Sequence, residues 1–441
     1  MIFARPWFDR WTYQMLAKRM FPLSRLWAAA MISGDDVVTF RDESQISRLD
    51  SAEEDFARAL MRDTQAALAG KYTAAEKWEA VFFGENRPGD RELVAVEVER
   101  RAAAAEFLGQ RFKFRPLLAG RSIGAVRFDT PSQDEIVGTY GDWMADPDSA
   151  YPAPEILPEI EVSHSVSAAN GSVSWLKFPS PGRVVKDTSW AKIVEPHDAS
   201  NAPTLLYCHG LGEETELRNR FLDETPPLIA MGVRVIRLEA PWHNRRFVPG
   251  RWSGEPFLGR APGGPMNLFD AHVRELAILT QWCRARYGTP VAIGGLSMGA
   301  LTAQLAAYRA NFWPKAMQPD ALFLAAVSED MWEICFDGSI GSNAGVGASV
   351  RRAGWTDEPL ERVRMLTNPT GRPVMDPSRI VMKLALADDV MPYARGRSLA
   401  ERWGLPAENV FERNQGHFTV PISMVRNARA FRRLAEILHR L

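Results

Sequence analysis

Residues 295–299 read Gly-Leu-Ser-Met-Gly, and no other stretch of this 441-residue chain limits its fold as tightly. A serine flanked by glycines two before and two after suits a strand that turns sharply into a helix. Only glycine lets the two backbones approach without a Cβ in the way. The context agrees: an apolar run at 291–293 precedes the pentapeptide, and Ala300, Leu301, Ala303 and Ala306 follow it. A plain glycine-rich turn without chemistry is the competing reading. Around it, apolar runs at 204–208, 233–238, 321–327 and 380–387 alternate with helix-prone stretches at 265–287, 299–312 and 422–440. Strands alternating with helices imply right-handed crossovers and a mostly parallel sheet covered on both faces.

The first part of the chain is punctuated differently. Ser51 with Glu54, and Thr73 with Glu76, have capping-box spacing ahead of Phe56, Leu60 and Met61, and of Trp78, Val81 and Phe82. Gly70 and Gly84 are expected to stop these two helices. Asp90 is expected to cap a third, with Val94, Val98, Ala105 and Leu108 on its apolar face. Residues 142–160, rich in proline and acid, read as a linker, and Asn170-Gly171 as the turn of a hairpin. The expected layout is an N-terminal helical extension over 1–150 and an α/β domain over 151–441, with a lid-like insertion at about 328–375. That insertion carries Met331, Trp332, Phe336 and Trp355, which suit either the lining of a mobile lid or anchors to the core.

Composition narrows the function classes. Lys plus Arg number 53 against 54 Asp plus Glu, so no global field draws the chain onto nucleic acid. Three cysteines, Cys208, Cys283 and Cys335, are too few and too scattered for a disulfide framework or a zinc site. A reducing, cytoplasmic setting fits them. No apolar run approaches the roughly 18 residues of a spanning helix. The N-terminal stretch is basic and aromatic (Arg5, Trp7, Phe8, Arg10, Trp11, Lys18, Arg19) but lacks a signal-peptide apolar segment. Lys18 and Arg19 fall among Trp11 and Met15 on a helical wheel, so peripheral membrane contact is not favoured. No cofactor and no metal is implied.

A serine at such a turn needs an acid and a histidine, which follow it in that order. Of seven histidines, only His417 and His439 lie beyond the candidate acids. His439 falls on a solvated face of the last helix, which leaves His417 in Gln415-Gly416-His417-Phe418. After the 380–387 run, Asp388 stands four residues before Pro392, and Asp389 is the runner-up. Met298, and Leu211 in His209-Gly210-Leu211-Gly212, are expected to supply the two N–H groups of an oxyanion hole. His209 is out of order for a base and is expected to hold that loop. Arg245, Arg246, Arg251 and Arg260 lie within 242–260 against one acid, Glu255. Turned into a pocket they would bind a phosphate or carboxylate of the substrate; a solvated basic loop is the alternative.

Together these residues resemble the α/β-hydrolase superfamily and, within it, the family of α/β-hydrolase domain-containing protein eighteen. The matches are Gly210-Leu211-Gly212 with Arg218 and Arg220 soon after, Glu239-Ala240-Pro241-Trp242 and residues 295–299. Further matches are Trp313-Pro314-Lys315, Asp376-Pro377-Ser378, Asp388 with Pro392, and Gly416-His417. The resemblance implies the α/β-hydrolase fold, a mostly parallel sheet flanked by helices, and a serine-hydrolase site at Ser297, Asp388 and His417. The expected substrate is a small acyl ester or lipid, cleaved through an acyl-enzyme. Amide or thioester hydrolysis, acyl transfer, or binding without turnover are the alternatives.

Overall fold

A computed structural model describes residues 6–214 and 223–441, which fold around one ten-stranded sheet. Its strands are β1 (Glu161–Val162), β2 (Val166–Ala168), β3 (Gly171–Pro179), β4 (Thr188–Pro196), β5 (Thr204–Cys208), β6 (Arg234–Leu238), β7 (Val291–Leu296), β8 (Ala321–Ala325), β9 (Ile380–Ala385) and β10 (Val410–Arg413). Their order is β1-β3-β4-β6-β5-β7-β8-β9-β10, with β2 paired to β3. Pairings up to β4–β6 are antiparallel, and those from β6 through β5, β7, β8 and β9 to β10 are parallel. The strands β5, β7, β8 and β9 are buried along their whole length, which is why they read as unbroken apolar runs. The sequence reading has no counterpart for β4, because Lys192 and Glu195 break its apolar pattern; pairing with β3 and β6 makes it a strand.

Five helices open the described chain: α1 (Pro6–Met15), α2 (Phe21–Ile32), α3 (Val37–Ser44), α4 (Ser51–Phe82) and α5 (Asp90–Gly109). Where the sequence suggests two helices, α4 is one helix of 32 residues. Its cap is Asp50, not Ser51. Asp50 Oδ1 accepts the Glu53 N–H at 2.9 Å while Glu53 Oε2 accepts the Asp50 N–H at 3.1 Å. Gly70 does not stop it: an interior glycine costs only about 1 kcal/mol, and burial of Ala67, Leu68, Ala74 and Trp78 carries the helix across it. The buried face of α5 holds Leu93, Val96, Ala104 and Phe107, leaving Val94 and Val98 exposed against expectation.

These helices do not form a core of their own. Leu26, Trp27 and Phe40 belong to one continuous apolar cluster with Leu206, Ile236 and Ile293 of the sheet. The insertion between β8 and β9 joins the same cluster through Met331, Trp332 and Trp355, and Trp355 Nε1 donates to the Pro131 carbonyl at 2.8 Å. Those aromatics are anchors. Among the described residues, no helix is long and apolar enough to cross a membrane. Arg5, Arg218 and Arg220 lie outside the described residues.

Candidate active site

The loops that leave the C-terminal ends of the parallel strands lie on one edge of the sheet, where open α/β sheets bind ligands. Strand β7 ends at Leu296, and Ser297 turns the chain into the helix Met298–Arg309 with φ 56° and ψ −122°. Such a backbone costs energy for any residue with a side chain and persists only where its surroundings impose it. Here the glycines impose it. A Cβ on Gly295 would lie 2.5 Å from the Cys208 carbonyl oxygen, and one on Gly299 would collide with the same peptide. The Ser297 N–H donates to the Ala325 carbonyl at 2.9 Å, tying the turn to β8.

Past β10, His417 faces the serine: Ser297 Oγ donates to His417 Nε2 at 3.0 Å. His417 Nδ1 donates to Asp388 Oδ2 at 2.9 Å, and since a carboxylate only accepts, this bond places the ring proton on Nδ1. Asp388 stands past β9, and its Oδ1 accepts the N–H groups of Val390 at 3.0 Å and Met391 at 2.8 Å. Asp389, the sequence alternative, is exposed. Burial works against a charged His417 ring, yet the Asp388 charge and hydrogen bond, with Asp9 and Asp389 behind them, hold its pKa above the ordinary value.

The 209–212 loop passes directly beside the serine, and a Cβ on Gly210 would sit 3.6 Å from Ser297 Cβ. Two buried histidines pin it. His209 Nδ1 donates to the Gly210 carbonyl at 2.8 Å, and its Nε2 accepts the Ala240 N–H at 3.1 Å. His243 Nδ1 donates to the Pro241 carbonyl at 2.9 Å, and its Nε2 accepts the Gly212 N–H at 3.2 Å. Burial lowers both pKa values, that of His243 strongly, so both rings stay neutral. His209 therefore holds the loop, as its place in the chain suggests. The sequence reading missed His243, because nothing local announces a ring that bonds a peptide 31 residues away.

The loop arginines are not gathered with these residues. Arg245 is paired with Glu239. Arg246, 5% exposed, donates to Asp187 Oδ1 at 2.7 Å and to Glu275 Oε1 at 3.0 Å. Arg251 donates to the Arg127 carbonyl at 3.1 Å, and Arg260 to Glu135 Oε1 at 3.3 Å. All four border a cleft of about 710 Å³ whose lining includes neither Ser297 nor His417. The sequence leaves these guanidiniums open between a substrate anion and solvent; in the structure Arg245 meets the nearby Glu239, Arg251 a backbone carbonyl, and Arg246 and Arg260 carboxylates distant in sequence.

No family model matches the chain, and no curated protein matches it. Among solved structures it is similar to a cold-adapted esterase from an Arctic intertidal metagenomic library, at 16% identity over 62% of this chain and 97% of that one, with a TM-score of 0.40. It is similar to acetyl xylan esterase 1 from a Thermoanaerobacterium species at 13% identity over 68% and 96%, with a TM-score of 0.42. A lipase in its open form is similar at 15% identity over 61% and 98%, with a TM-score of 0.41. On its own strand order, parallel pairings and strained strand–helix turn, the chain has the α/β-hydrolase fold.

Proposed function

We propose that the chain is a serine hydrolase that cleaves carboxylic esters of small molecules or lipids. One observation carries this reading: the hydrogen bonds run unbroken from Asp388 through His417 to Ser297, which sits on the strained turn. In the proposed reaction Ser297 Oγ attacks the ester carbonyl while His417 Nε2 takes its proton. His417 then returns the proton to the departing alcohol, and water repeats the sequence on the acyl-enzyme. Asp388 keeps the ring proton on Nδ1 and stabilises the imidazolium.

The N–H of Met298, at the first position of its helix, has no intrahelical partner by geometry. With the N–H of Leu211 it is proposed to receive the oxyanion, an arrangement worth about 3–4 kcal/mol per donor in comparable sites. The test is labelling by an active-site fluorophosphonate together with turnover of esters of graded chain length. Wild type should label and hydrolyse, and Ser297→Ala should do neither. Labelling that survives Ser297→Ala would sink the assignment.

A further inference from the structure

A carboxylate from the opposite end of the chain rests against the His417 loop. Asp9 lies on α1 and is 2% exposed, and its Oδ1 accepts the N–H of Thr419 at 3.1 Å across 410 residues of sequence. Gly416, next to His417, faces the same group, and a Cβ there would collide with the Asp9 carboxylate. One turn further along α1, the Tyr13 hydroxyl donates to the Ser339 carbonyl at 2.7 Å, and its ring stacks on Phe418 with centroids 6.4 Å apart. Ser339 N–H donates in turn to the Asp389 carbonyl at 2.9 Å. The inner face of α1 thus joins the loop of His417, the turn of Asp388 and Asp389, and the insertion. Its outer face leaves Trp7, Arg10 and Trp11 exposed.

Packing alone does not call for a carboxylate at this place. Burial raises the Asp9 pKa to about 6, with the Asp388 charge adding to the rise and His417 and the backbone N–H groups of Thr419 and Phe418 opposing it. Asparagine would accept the same Thr419 bond without holding a charge out of water. What asparagine lacks is a negative charge facing the imidazole.

Resting on the function proposed above, we infer that Asp9 is a positioning residue: it docks α1 onto the 416–419 backbone, aligns His417 with Ser297, and presents a further carboxylate to the imidazolium. Three carboxylates then face the ring, Asp388 and Asp389 from the turn after β9 and Asp9 from α1, while Tyr13 faces Asp389.

The experiment compares kcat/KM against pH for wild type, Asp9→Asn and Asp9→Ala on one neutral ester. The base must be neutral to accept a proton, so activity falls as pH drops through the His417 pKa. Asp9→Asn keeps the Thr419 bond and removes the charge. Its acidic limb should move to lower pH by roughly half a unit or more. Asp9→Ala removes both and should lower plateau kcat about ten- to a hundredfold with little change in KM; asparagine should restore most of that loss. A purely structural Asp9 would alter thermal stability and leave the limb in place. An NMR titration of the His417 ring in wild type and Asp9→Asn reads the same shift without substrate, should Asp9→Ala fail to fold. Coincident limbs and ring titrations in an active wild type and Asp9→Asn would overturn this role alone. A wild type that neither labels nor hydrolyses would remove the proposed function and the Asp9 role with it.

Discussion

Asp388 and Asp389 are neighbours in sequence with opposite surroundings. The first accepts two backbone N–H groups and the His417 ring, and the second is exposed. If imidazole orientation is what the acid supplies, Asp388→Asn should lower kcat by about 10³–10⁴-fold, and Asp389→Asn by far less. Steady-state kinetics of the two variants decides, and the reverse ranking would move the acid to Asp389. Asp9 supports a pH prediction of its own. Its folded pKa of about 6 stands above the ordinary value of 3.8 that the unfolded chain keeps, so the fold favours its neutral form. That preference is fully present below about pH 3.8 and is lost as pH rises through about 6, above which the fold must hold a buried anion. The difference amounts to about 2–3 kcal/mol. Urea unfolding should show Asp9→Asn gaining stability at pH 8 and gaining little at pH 4, and an equal gain at both would contradict it.

Between elements, the decisive contacts are ion pairs and helix continuity. Arg246 joins the loop after β6 to Asp187 and to Glu275 of the helix Gly263–Tyr287, with Glu275 wholly buried. Removing the guanidinium leaves that carboxylate without its buried cation, so Arg246→Ala should cost about 3–5 kcal/mol of stability. The ratio of kcat/KM for matched neutral and anionic esters should not change in the same variant. A lost preference for the anionic ester would return Arg246 to the substrate. In α4, Gly70 is exposed and nothing lies within 4 Å of the Cβ it lacks. Gly70→Ala should therefore raise stability by about 0.5–1 kcal/mol, seen as a higher Tm. The helix stop read at Gly70 and the phase read for α5 missed for one reason. Both are settled by which face the rest of the molecule covers, and a glycine or valine in isolation carries no record of that.

At the scale of the whole molecule, one apolar cluster runs from α2 through the sheet to the insertion. Arg25 of α2 reinforces it, donating to Glu255 Oε2 at 2.8 Å from a site 1% exposed. Buried tryptophans mark every part of this core: Trp27 in α2, Trp143 before the sheet, Trp355 in the insertion and Trp403 after β9. Unfolding should thus be one transition, with tryptophan fluorescence and far-ultraviolet circular dichroism tracing the same denaturant curve. An early loss of helical signal with fluorescence unchanged would mean that the N-terminal helices melt as a separate unit.

Short-range chemistry determined much of this protein in advance. Glycine spacing prescribes the backbone at Ser297, unbroken apolar runs prescribe parallel strands buried on both faces, and the chain order of strand-end loops brings Asp388 and His417 to the same edge. The first two depend on residues within one turn or one strand of each other, and the third on strand order alone, although its side chains stand 29 and 120 residues apart, so a linear string records all three. The partners of Arg246, the rings that hold the 209–212 loop, and the approach of Asp9 to Thr419 depend on groups from 29 to 410 residues apart. A charge or ring at such separation has no period and no neighbour to betray its partner, and only the packed structure decides which one it meets.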